Sequence, residues 1–177
     1  MPMQHAIEFL ALAACGAGAI TDIRSKRIPN ALTLSAAVVA LALHAMLGPV
    51  SLAKAALVMV VVLAAGIAVF RLKLIGGGDV KLVAAIAGAF GFPDAVPFVL
   101  YTMVAGGVLA IAYALSRGTL RQTVQNTLVA TQPLLYRRLP VALPATTEKM
   151  PYGLAIFIGA SFVVLSHAYA PFLRFPV

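Results

Sequence analysis

Charge is scarce in this sequence: 10% of its 177 residues are charged, where a water-soluble domain carries about a quarter. Tryptophan is absent, acidic residues number five, and there is one cysteine. That single thiol, Cys15, excludes an internal disulfide and a CxxC zinc site, and its apolar setting reads as a small buried side chain. The three histidines, His5, His44 and His167, are scattered and form no HExxH pair. The residue inventory therefore asks for no metal and no cofactor. What fills the chain instead is apolar: 62% of residues are hydrophobic and the mean hydropathy is +1.02. That composition excludes a soluble domain and predicts a chain whose solvent is the lipid bilayer. The net charge of +8, with 13 Lys and Arg, does not point to nucleic acid. The basic residues stand between apolar runs, where they set orientation.

A bilayer is crossed by about 20 mostly apolar helical residues. Segments 5–22, 31–48, 52–70, 95–116 and 151–170 meet that requirement. A sixth, 80–92, is shorter and as a helix rises only about 20 Å; it reads as a short span or part of a re-entrant element. Charge decides between them. With six spans, Arg24, Lys26, Arg27, Arg71, Lys73, Lys81, Arg117, Arg121, Arg137, Arg138 and Lys149 share one side, leaving Lys54 and Arg174 on the other. The positive-inside rule then predicts an all-α, six-span transmembrane bundle, a single membrane-embedded domain over 1–177, with both termini outside the cytoplasm. Residues 1–8 lack Lys and Arg, so the first span is not read as a signal peptide. In the long cytoplasmic loop, 117–150, Leu120, Val124 and Leu128 recur every four residues with Arg121, Gln122 and Gln125 between them. That pattern predicts a short amphipathic helix on the membrane surface.

Of the carboxylates, Glu8 falls near the outer start of the first span and Glu148 stands beside Lys149 in a loop. Asp94, in the Phe92-Pro93-Asp94 turn, is expected to cap the fifth span. All three read as structural or solvated. Asp22 and Asp79 are different, because both fall at the cytoplasmic edge. Asp22 ends the first span, where the helix dipole disfavours a carboxylate. Asp79 follows Gly76, Gly77 and Gly78, whose backbones can take positive φ and approach neighbours closely. Each has a plain structural reading: Asp22 as the partner of Arg24, Lys26 or Arg27, and Asp79 as an N-cap. Taken together they point to chemistry, since ionisable groups near hydrocarbon are costly and tend to be functional. Two carboxylates held together keep one proton between them. One then acts as general base on a water while the other, protonated, polarises a scissile carbonyl.

The segment Thr21-Asp22-Ile23-Arg24-Ser25-Lys26-Arg27-Ile28-Pro29-Asn30 resembles the first catalytic segment of the type IV prepilin peptidases. Gly76-Gly77-Gly78-Asp79-Val80-Lys81 resembles their second, the GxGD segment, and Pro151-Tyr152-Gly153 the start of their last span. The resemblance implies an aspartyl peptidase of the bacterial inner membrane, with Asp22 and Asp79 as the catalytic pair. Gly76, Gly77, Gly78, Lys81, Arg24, Pro29 and Asn30 would support them. The implied partner, besides the bilayer, is a prepilin-like precursor that loses a short basic leader at the cytoplasmic face. Larger members carry a Cys-rich zinc segment and many also methylate the new N-terminus. With one cysteine and a first span close to Met1, this chain is similar to the compact type that serves Flp (tight-adherence) pili. The Lys and Arg near the aspartates would not attract a basic leader and read as orienting charges. Two other function classes fit the composition: a small proton-coupled transporter, and a non-catalytic pilus assembly factor.

Overall fold

Apolar runs that end at glycine, proline or a basic cluster become helices. The computed structural model describes residues 2–72, 75–118 and 151–169, together with Arg121 and Gln125. Six helices lie among the described residues: α1 (Pro2–Ser25), α2 (Asn30–Leu47), α3 (Pro49–Arg71), α4 (Gly77–Phe90), α5 (Ala95–Ser116) and α6 (Gly153–Tyr169). Each matches one expected span, and α5 has the expected bounds. The surface helix expected in the 117–150 loop lies outside the described residues. α1, α2, α3 and α5 are long and apolar enough to cross a membrane.

The helix ends have local causes. α1 stops where Lys26 enters the left-handed region at φ 53°, and Pro29 follows in extended conformation to open α2. α2 stops at Gly48, whose φ of 121° suits glycine alone. Pro49 then takes the first position of α3, where a missing N–H costs nothing. Gly91, at φ 69°, closes α4, and its N–H reaches the Ala87 carbonyl at 2.9 Å.

The short α4 is the inner helix of the bundle. Its 14 residues rise about 21 Å, less than a bilayer core. It packs against α1, α2, α3, α5 and α6, and Val80, Leu82 and Ala84 to Ala89 are buried. A helix enclosed by protein does not have to match the lipid thickness. The expected short span is therefore a continuous helix screened from lipid on most of its surface. α3, by contrast, buries only Ala55 and leaves Leu57, Val60, Val61 and Ile67 outward, as a lipid-facing helix should.

Lipid tails are as apolar as leucine, so helices in a bilayer associate through close packing, and small residues permit it. Ala11, Ala14, Cys15, Ala36, Ala85, Ala87 and Ala160 line the core beside Leu82, Ile86, Phe98 and Ile156. Three glycines show how close the approach is. A Cβ on Gly18 would stand 2.7 Å from Leu82 Cδ2, and one on Gly88 3.2 Å from the Ala55 carbonyl. One on Gly159 would stand 2.8 Å from the Thr102 amide nitrogen.

Histidines fasten the end opposite Asp22. His44 is buried, with Nδ1 2.8 Å from Ser51 Oγ and Nε2 2.9 Å from the Ala89 carbonyl, tying α2, α3 and α4. His167 has Nδ1 3.0 Å from Glu8 Oε1 and Nε2 3.3 Å from Asp94 Oδ2, tying α6 to α1 and α5. Here an expectation needs correction. Asp94 does hold the N-cap position of α5, but its side chain makes no capping hydrogen bond; it faces His167 instead.

Gly159→Val tests the α5–α6 contact. The new side chain meets backbone, which cannot yield, so we expect a loss of about 1–3 kcal/mol, read as a lower melting temperature of the detergent-solubilised protein. An unchanged melting curve would show that α5 and α6 are not held this closely.

Candidate active site

Both aspartates singled out by sequence are buried, Asp22 at 6% exposure and Asp79 at 8%. Asp22 lies one turn before the end of α1, where its own helix dipole is unfavourable. The compensation comes from another helix: the Gly153 N–H at the start of α6 donates to Asp22 Oδ2 at 2.9 Å. Arg24, Lys26 and Arg27 are all exposed, so the plain reading of Asp22 as the partner of a neighbouring cation is not what the structure shows.

Asp79 is the third residue of α4, not its N-cap. Gly76 holds the cap position in extended conformation, and its N–H donates back to Asp79 Oδ2 at 3.2 Å. The carboxylate thus makes the backward half of a capping box, the forward half being closed to a glycine with no side chain. The glycines before Asp79 serve proximity, not unusual φ; the positive-φ glycines among the described residues are Gly48, Gly91 and Gly118. A Cβ on Gly76 would stand 2.6 Å from Asp79 Oδ2. One on Gly78 would stand 3.1 Å from both Cβ and the carbonyl oxygen of Ile28. Gly77 has ordinary room beside Phe70, with 3.5 Å to the ring.

The α1–α2 connection is therefore pressed onto the start of α4. Ile28, buried, covers Gly78. Pro29 presents its carbonyl to the amides of Leu32 and Thr33, and Asn30 Oδ1 accepts a hydrogen bond from Lys81 Nζ at 2.9 Å. Of the expected supporting residues, Gly76, Gly77, Gly78, Lys81, Pro29 and Asn30 meet around the first turn of α4. Arg24 sits at the same end but is exposed. Beside Asn30 and Lys81 a cleft of about 480 Å³ runs down between α2, α3 and α4, lined by Leu34, Ala37, Met59 and Ala85.

Two residues reach this site without having been assigned a role from sequence, Tyr152 and Gly153. Tyr152 precedes α6 and lies over Gly106 of α5, where a Cβ would stand 2.8 Å from the phenol oxygen. Gly153, the next residue, is the one whose amide meets Asp22, so the same turn touches both α1 and α5.

Residues 9–111 match the model of the type IV leader peptidase family. The chain belongs to the type IV leader peptidase family. The matched stretch contains both aspartates of this leader peptidase relative and ends before α6. No curated protein and no solved structure matches the chain.

The Gly153–Asp22 bond makes a prediction about stability alone. Asp22→Asn keeps an oxygen for the Gly153 amide and should melt near the native temperature. Asp22→Leu leaves that amide unpaired in a buried place, at about 1–3 kcal/mol. Equal melting temperatures for the two variants in detergent would show that the bond contributes nothing to stability.

Proposed function

We propose that the protein is an aspartyl endopeptidase of the bacterial inner membrane that removes the basic leader from a prepilin-like, Flp-type precursor. Family membership supports leader peptidase activity. The observation that carries the mechanism is the burial of Asp22 and Asp79 at one end of the bundle, each with a backbone amide on Oδ2. A carboxylate that served only at the surface would face water; these two are turned into the interior.

In this reading one aspartate, ionised, takes a proton from a water molecule as its oxygen attacks the scissile carbonyl carbon. The other, protonated, donates to the carbonyl oxygen as it gains charge. The tetrahedral intermediate then collapses, the C–N bond breaks, and the leaving nitrogen receives the proton held by the first aspartate. Lys81 and Asn30 brace the loop and the helix that carry the pair. Enclosure of α4 keeps bulk water from the two carboxyl groups, so donors act there with less screening than in solvent.

The orientation follows from charge: the end with Asp22 and Asp79 faces the cytoplasm, where the leader would lie, and both termini face away. A reporter fused to the C-terminus that is active only in the cytoplasm should stay silent; activity would reverse the assignment.

The decisive experiment is co-expression with a candidate prepilin, followed by immunoblot of precursor mobility. Wild type should convert precursor to mature protein. Asp22→Asn and Asp79→Asn, at matched membrane levels, should each lower conversion by at least about 100-fold, the scale of losing one general acid or base. Conversion that persists at the native rate in either variant would eliminate the two-aspartate mechanism.

A further inference from the structure

Gly153 and Tyr152 have a combination of properties that the fold alone does not require. The carbonyl of Tyr152 accepts the first bonds of α6, from the amides of Ala155 at 2.9 Å and Ile156 at 3.3 Å, so Tyr152 occupies the N-cap position. A tyrosine there cannot do what Ser, Thr, Asp or Asn does, since its hydroxyl lies too far from the free amides of its own first turn. One of those amides, Gly153 N–H, is instead taken by Asp22, 131 residues away in the chain. α6 is thus capped in trans by a residue of the proposed catalytic pair.

The fit around Gly153 leaves no slack. A Cβ there would stand 3.0 Å from Asp22 Cβ, 3.1 Å from Ala19 Cα and 3.1 Å from the Gly18 carbonyl oxygen. Two of those three atoms are backbone of α1, so any larger residue must move one helix against the other and draw the amide off the carboxylate. The ring of Tyr152 goes the opposite way, into the space left by Gly106 on α5. The turn is wedged between α1 and α5.

Resting on the proposed aspartate chemistry, we propose that Tyr152 and Gly153 are positioning residues of the active site: the Gly153 amide fixes the Asp22 carboxylate, and the Tyr152 ring, seated on Gly106, holds the turn that carries that amide. Neither residue exchanges a proton with substrate. Their task is to hold the Asp22 carboxyl group of α1 in one arrangement through the start of α6.

The test uses purified, detergent-solubilised full-length protein with a precursor that the wild type cleaves. Gly153→Ala and Tyr152→Leu are compared with wild type for folded fraction, kcat and KM, with kcat taken per folded molecule. Folded Gly153→Ala should lose at least about tenfold in kcat with KM within about twofold. A smaller population of active molecules is removed by that normalisation. Tyr152→Leu loses the ring that wedges the turn on Gly106 and should also lower kcat with little change in KM. Folded Gly153→Ala with native kcat overturns the proposal. Should Gly153→Ala fail to fold, Tyr152→Leu decides alone, and a native kcat there overturns it. Asp22→Asn run beside them separates the two levels: cleavage surviving in Asp22→Asn removes the aspartate mechanism itself. Cleavage lost there but native in both turn variants removes only the positioning role.

Discussion

A carboxyl group withdrawn from water has to be met by donors of the protein, and in a bilayer there is no solvent to make up a shortfall. Among the described residues, two such donors are backbone amides at the starts of helices. α4 supplies Gly76 N–H to its own Asp79, and α6 supplies Gly153 N–H to Asp22 of α1. The starts of helices are the places in a folded chain where amides stand without a helical partner and the dipole is positive. Asp22 is at the wrong end of its own helix for that benefit, and the sixth helix arrives to provide it. Much of the architecture at this end follows from bringing those helix starts to the two carboxylates.

Such proximity depends on residues with little or no side chain. Gly78 lets the Ile28 backbone rest on α4, Gly153 lets α6 rest on α1, and Gly106 clears the space for Tyr152. At the other end the bundle is fastened by side chains, with His44 bridging Ser51 and Ala89 and His167 between Glu8 and Asp94. The two ends are thus built differently. Polar side chains tie the helices far from the aspartates; near them, close backbone packing does so together with the Lys81–Asn30 bond.

The fold was legible in the sequence because hydropathy and charge are local signals: six spans were expected, and the six helices among the described residues match them. The short 80–92 segment needed a non-local criterion, the balance of basic residues across the membrane, and it identified α4. Asp22 and Asp79 stood out because carboxylates are so few, and both are buried. Their partners did not stand out. The Gly153–Asp22 bond joins positions 131 residues apart, and nothing in the run Pro151-Tyr152-Gly153 announces which helix it will meet. Lys81 and Asn30 were each singled out, but their mutual hydrogen bond depends on how α2 and α4 pack. Asp94 misled for the same reason: local grammar made it a cap, and His167, 73 positions further on, claimed its carboxylate.

The trans cap also bears on biosynthesis. Chains are made and inserted from the N-terminus, so both aspartates enter the membrane well before α6 exists. Until Gly153 arrives, Asp22 has no amide opposite it, and the geometry described here is incomplete. Asp79 has the amide of its own helix from the start, whereas Asp22 waits for a partner that is translated 131 residues later.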